Sequence, residues 1–182
     1  MSSPPPSERV VFGHSMEGLF RALQPHTPQE RAAFLKAGVD GVKKFSAAYP
    51  LQQYVDVQNA CAASRFAHLP EDERYFEIGR LFMGGYEKTL LGNAMLAMLK
   101  LIGPRRALDR LTRSMRTANN FSEGTFTSLA PNHHVITINY TLRPGFYRGI
   151  LFASLERAGA KDLRISAVST KDLVTTYDVT WR

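Results

Sequence analysis

Five histidines, one cysteine, two glycine-framed motifs and one arginine-rich segment are the places in this 182-residue chain where side-chain chemistry could concentrate. His14, His26, His68, His133 and His134 include no pair at the i, i+4 spacing with which a helix offers two imidazoles to one metal. His133 and His134 are neighbours, and neighbours on a strand point to opposite faces, so they read as flanking a hairpin turn and no metal site is expected. Cys61 lies among apolar residues at helical spacing, as a small core residue does; the alternative is contact with a ligand or acyl chain at a pocket wall. Gly13-His14-Ser15-Met16-Glu17-Gly18 approaches the nucleophile elbow of serine hydrolases, but it has one residue too many and no strand is read before it. Gly84-Gly85-Tyr86-Glu87-Lys88-Thr89 ends like a phosphate-binding loop, yet it reads as helix interior, where the amides are already bonded. No nucleophile, base and orienting group occur together, so no catalytic residue is assigned and the chain reads as non-enzymatic.

The segment after Pro104 stands out. At about 100° per residue, Leu108, Leu111 and Met115 share one side, while Arg106, Arg110 and Arg113 fall opposite, flanked by Arg105 and Arg116. Guanidinium groups make planar paired contacts to carboxylate or phosphate, so this stripe suits an acidic protein surface or an anionic small molecule; a plain solvated face has the same pattern. The formal net charge of +7 reinforces it. Residues 1–99 carry 10 basic and 10 acidic side chains, residues 100–182 carry 13 and 6, so the whole excess is C-terminal. Nucleic-acid or nucleotide binding through that basic half is the second reading, weakened because no exposed aromatics are interleaved with the arginines.

These residues need elements to position them. Phe12, Met16, Leu19, Phe20 and Leu23 predict a helix over 10–23, and Thr27-Pro28-Gln29-Glu30 supplies a capping box for a second. Pro50 opens a third helix with Tyr54, Val57 and Cys61 on one side, closed by Pro70. Glu71, Asp72 and Glu73 then start a long central helix running past Leu99, with Gly79, Gly84, Gly85 and Gly92 placed for close approach of a neighbour. Gly103-Pro104 breaks it and begins the arginine helix. Beyond it the period changes to two. Thr125–Leu129 pairs with Ile136–Leu142, a helix spans 144–158, and a hairpin through Leu163–Ala167 and Leu173–Trp181 turns at Ser169–Asp172.

The Leu81–Gly103 stretch is interrupted by Glu87, Lys88, Asn93 and Lys100, so it is not a membrane span, and the Ser- and Pro-rich start lacks the apolar run of a secretory signal. A single cysteine fits a reducing compartment, and a cytoplasmic location is expected. Residues 1–9 read as a disordered lead and 10–182 as one domain.

The stretches Val11-Phe12-Gly13 to Glu17-Gly18-Leu19, Gly38-Val39-Asp40, Ala48-Tyr49-Pro50, Ile78-Gly79-Arg80 to Gly92, and Gly103-Pro104-Arg105-Arg106 to Asn119-Asn120-Phe121 resemble a family of unknown function expanded in the Myxococcales. That family is similar, distantly, to the superfamily of haem-NO-binding domains, 4-vinyl reductase domains and TRAPP vesicle-tethering subunits. The resemblance implies an α+β fold in which an N-terminal helical layer precedes a hairpin-helix-hairpin unit with a four-stranded antiparallel sheet. It also implies a ligand-sensing or protein-binding adaptor, with an apolar ligand pocket and a homo- or heterodimeric assembly in view. Haem-binding relatives use a histidine on the helix before the first hairpin and a Tyr-x-Ser-x-Arg pattern. Residues 75–117 contain no histidine, and Thr112-Arg113-Ser114-Met115-Arg116 lacks the tyrosine, so no haem and no other cofactor is expected. TRAPP-like relatives hold an acyl chain, sometimes on cysteine, which makes Cys61 the candidate contact.

Overall fold

A computed structural model describes residues 4–182. Among these residues, seven α-helices, a two-stranded ribbon and a four-stranded antiparallel sheet make an α+β fold, as the period change in the sequence predicts. The lead is more ordered than expected: Pro6–Glu8 form a 3-10 turn, and the Asn120 side-chain amide donates to the Glu8 carbonyl. Residues 1–3, the rest of the segment expected to be disordered, lie outside the described residues.

The predicted first helix starts three residues late. Val10–Phe12 form strand β1, paired antiparallel with β2 (Ala48–Pro50), because two β-branched valines and a phenylalanine favour extended backbone and Asn120 Oδ1 accepts the Val10 N–H. Helix α1 (Gly13–Ala22) follows at once and buries Met16, Leu19 and Phe20. Helix α2 (Pro28–Lys36) has the predicted capping box: Thr27 Oγ1 accepts from the Glu30 N–H at 3.1 Å and the Glu30 carboxylate accepts from the Thr27 N–H at 2.9 Å. Glu30 reaches further. Its buried carboxylate accepts from Arg65 Nε at 2.6 Å and Ser64 Oγ at 2.5 Å, joining α2 to α3 (Leu51–Arg65).

The long central helix is in fact two. α4 (Glu71–Tyr86) ends in a turn over Glu87–Lys88, and α5 (Leu90–Ile102) begins afresh with Thr89 as its cap, accepting from the Gly92 N–H at 3.0 Å and donating to the Tyr86 carbonyl at 2.8 Å. Apolar periodicity continues through the break, which hid a threonine whose hydroxyl competes for the backbone. The Gly84–Thr89 stretch is therefore a helix end and a turn, not helix interior. The glycines behave largely as predicted. A Cβ at Gly79 would strike the Phe146 carbonyl and one at Gly85 would strike the Gly18 carbonyl, so α4 lies directly against two neighbours; Gly92 abuts the Tyr86 carbonyl, and Gly84 meets only the end of Arg157.

Helix α6 (Pro104–Arg113) leads to β3 (Gly124–Ala130) and β4 (His133–Ile138), then α7 (Pro144–Arg157), β5 (Arg164–Lys171) and β6 (Val174–Thr180). Sheet order is β3-β4-β6-β5, with bulges between Ser128 and Ala130 and between Ala167 and Ser169. β4 stops four residues earlier than predicted because Tyr140 adopts a left-handed φ of 57°. The second hairpin turns at Asp172-Leu173, both left-handed, rather than at Ser169–Asp172. Ile136, Ile138, Tyr177 and Val179 point inward and join Met16, Leu19, Ile78, Leu96, Leu99 and Leu108 in one core. α7 packs along α4 through Gly145 and Gly149, clamping the hairpin-helix-hairpin unit to the helical layer.

Candidate functional site

A cavity of about 130 Å³ lies at the seam between the helical layer and the hairpin-helix-hairpin unit. Helix α3 contributes Tyr54 and Gln58, α4 Phe82, Met83 and Tyr86, α5 Met95, and α7 Phe146 and Tyr147; the 114–121 connector and residues Tyr140–Arg143 close it. The wall is mostly apolar, with polar tips held at fixed points. The Tyr147 hydroxyl bonds Ser122 Oγ at 2.9 Å, and Asn119 Oδ1 accepts from the Phe121 and Ser122 N–H groups at 3.0 and 2.7 Å. Burial raises the Tyr54 and Tyr147 phenols, and pushes Tyr86 up to about 12, so all three are neutral donors near neutral pH.

Arg143 stands at the edge of this wall. Its guanidinium lies over the Tyr75 ring with 4.7 Å to the centroid, while Nη1 is 3.7 Å from Glu71 Oε1 and Nη2 donates to Asn59 Oδ1 at 3.4 Å. Its Nε is buried without a partner, one of four such side-chain atoms among the described residues. A buried N–H with no acceptor carries a desolvation penalty of about 1–3 kcal/mol, which a ligand acceptor would relieve.

The candidates from the sequence disperse. Arg105, Arg106 and Arg110 are exposed and make no ion pair among the described residues, whereas Arg113 pairs with Asp109 at 3.0 Å and Arg116 with Glu123 at 2.5 Å and the Asn120 carbonyl. The five-residue stripe is thus three free guanidiniums and two with partners. Cys61 is fully buried and outside the cavity wall; burial pushes its thiol up to about 12, with the nearby Glu30 charge acting in the same direction and Arg65 opposing it. At that pKa thiolate is scarce near neutral pH, the reverse of a reactive cysteine.

A strand does precede the Gly13–Gly18 motif, contrary to the sequence reading. Ser15 itself lies inside α1, buried, and its hydroxyl donates to the Ala118 carbonyl at 3.3 Å. His133 and His134 point to opposite faces. His133 Nε2 meets Asp178 Oδ1 at 2.6 Å, while His134 is fully buried, stacked on Trp181 at 4.6 Å between centroids, with Nε2 on the Pro131 carbonyl. Among the described residues no cluster of three or more histidine, cysteine or acidic side chains could hold a metal. Nor is any helix there long and apolar enough to cross a membrane.

More than nine-tenths of the chain superposes on H-NOX domains. A structure solved to explain the molecular mechanism of H-NOX activation has a TM-score of 0.63 at 10% identity, over 94% of this chain and 96% of that one. An Fe(II) unliganded mutant H-NOX from K. algicida gives 0.58 at 11%, over 94% and 96%. A third, from work on haem redox potential and porphyrin distortion, gives 0.60 at 11%, over 93% and 94%. At these identities what is shared is the fold.

A haem does not fit the residues present. The cavity is far smaller than the roughly 300–1,000 Å³ of pockets that enclose large ligands, no histidine or cysteine lines it, and its buried phenols resist the ionisation that tyrosinate ligation requires. No curated protein matches the chain. The model of one family does, over residues 9–182, and the chain therefore belongs to the family described as protein of unknown function (DUF2378).

Proposed function

We propose that this chain is a non-catalytic ligand-sensing domain whose seam cavity receives a small, mainly apolar molecule with one hydrogen-bond acceptor. The supporting observation is the cavity itself. It draws its wall from both halves of the fold, so an occupant touches the helical layer and the hairpin-helix-hairpin unit at once. Its size matches ligands of benzene scale, since an engineered apolar cavity of about 150 Å³ binds benzene. The unpartnered Arg143 Nε and the neutral Tyr54 and Tyr147 phenols supply the polar end. On this reading the cytoplasmic adaptor surface is α6, where Arg105, Arg106 and Arg110 stand ready for an anionic partner.

Native mass spectrometry of the purified chain, followed by thermal unfolding with small aromatic and short-chain aliphatic ketones and acids, tests it. At 100 times its Kd a ligand adds about 2.7 kcal/mol, which raises Tm by about 5–10 °C for a chain this size. Met83→Trp fills the cavity and removes that shift while the protein stays folded. Absence of any retained molecule together with no shift from any probe refutes the reading.

A further inference from the structure

Helix α5 has an unpartnered apolar face. Its inner side buries Gly92, Leu96 and Leu99, while the outward side carries Leu90, Ala94, Ala97, Met98 and Leu101. At about 100° per residue these five fall within one arc, and Leu90 and Leu101, three turns apart, point the same way. The exposures decide the matter: Leu90 is 94% and Leu101 86% accessible, values no core-facing leucine has. No acidic residue occurs on α5.

Basic residues rim this stripe at both ends. Lys88 is exposed just before α5; Lys100 lies near its end, with Glu87 3.8 Å away. Four and five residues past Leu101, across the single residue Gly103, come Arg105 and Arg106, then Arg110 one turn later, all exposed and without ion pairs among the described residues.

We propose that α5 and the start of α6 form a peripheral docking surface for an anionic phospholipid bilayer. The apolar stripe enters the headgroup boundary and Arg105, Arg106 and Arg110 meet the lipid phosphates. An aliphatic helix face ringed by cations is what such an interface selects, and each cation near an anionic surface strengthens binding several-fold. Two observations favour lipid over protein. A stripe about 20 Å long and about 10 Å wide on one helix covers roughly 200 Å², well short of the ~800 Å² per partner that a stable protein interface buries. Apart from the rimming cations it offers only Asn93 at its margin as a neutral hydrogen-bonding group and no exposed carboxylate on the helix, whereas protein interfaces need about one hydrogen bond per 100–200 Å². This surface is distinct from the seam cavity and its test is independent of cavity occupancy.

The experiment is co-sedimentation of the full chain with vesicles of phosphatidylcholine alone and of phosphatidylcholine mixed with phosphatidylglycerol, across a salt series. Binding to the mixed vesicles only, weakening with salt, is expected. Arg106→Gln with Arg110→Gln lowers that affinity about 30-fold. Leu90→Glu with Leu101→Glu abolishes it, with unchanged circular dichroism showing that both variants fold. The proposal is overturned by no sedimentation with mixed vesicles at low salt, by binding that the arginine variant leaves intact, or by a stable dimer in analytical ultracentrifugation that Leu101→Glu dissolves.

Discussion

At the scale of single residues, the buried Glu30 and the neutral Cys61 mark opposite uses of burial. Glu30 is desolvated, which alone raises a carboxyl, yet Arg65, Ser64 and the Thr27 N–H together pull it down to about 2. A carboxyl depressed in the folded state stabilises above its unfolded pKa of roughly 4.3 and loses that contribution as pH falls towards 2. Glu30→Gln leaves the half-buried Arg65 without its counter-ion and costs about 3 kcal/mol, measurable by urea unfolding at neutral pH. Cys61 gives a second check. Native protein resists iodoacetamide at mildly alkaline pH and reacts fully once unfolded in urea; rapid native labelling contradicts the burial described. The cavity was not legible in the sequence, because its wall gathers residues as far apart as Ser15, Tyr54, Tyr86, Asn119 and Arg143, each of an ordinary type where it stands. The arginine stripe was legible, being local and periodic. That Arg116 turns to Glu123 depended on where the first hairpin begins, which no helical periodicity records.

At the scale of elements, whatever rested on local chemistry could be read in advance. The Thr27 capping box, the acidic first turn of α4 and the period-two alternation of β4 and β6 all stand where the sequence puts them. Breaks inside apolar runs could not. Apolar residues recur at helical spacing on both sides of Glu87-Lys88-Thr89, so only the capping Thr89 betrays the break. Thr89→Ala removes the acceptor for the Gly92 N–H and one of two donors to the Tyr86 carbonyl, which keeps the residue-89 N–H, costing about 1–2 kcal/mol in chemical denaturation. Gly79→Ala tests the packing of α4 on α7. The added methyl meets the Phe146 backbone, which cannot rotate away as a side chain could, so a loss near the upper end of about 1–3 kcal/mol is expected.

At the scale of the whole molecule, three histidines act together. Burial lowers the pKa of His14, His26 and His134, although backbone carbonyls bonded to each oppose the effect. A histidine kept neutral by the fold binds its proton more readily when unfolded, so stability is full above roughly pH 6.5 and declines below it. Glu30 then adds a second loss below about pH 4.5. A Tm profile from neutral to acid pH should therefore fall in two stages, and Glu30→Gln should erase only the lower one.

The sheet's outer strands carry a further consequence. β3 and β5 each pair on one side only, and each is bulged near its middle or tip, at Ser128–Ala130 and Ala167–Ser169. An irregular border cannot template strand addition from another molecule, because its donors and acceptors fall out of step with any straight chain laid beside it. Deleting Val168 would restore an even ladder on β5 and leave a long uninterrupted margin. The expected result is fibrous or sheet-like self-association, seen as thioflavin fluorescence and light scattering at concentrations where the parent chain stays clear.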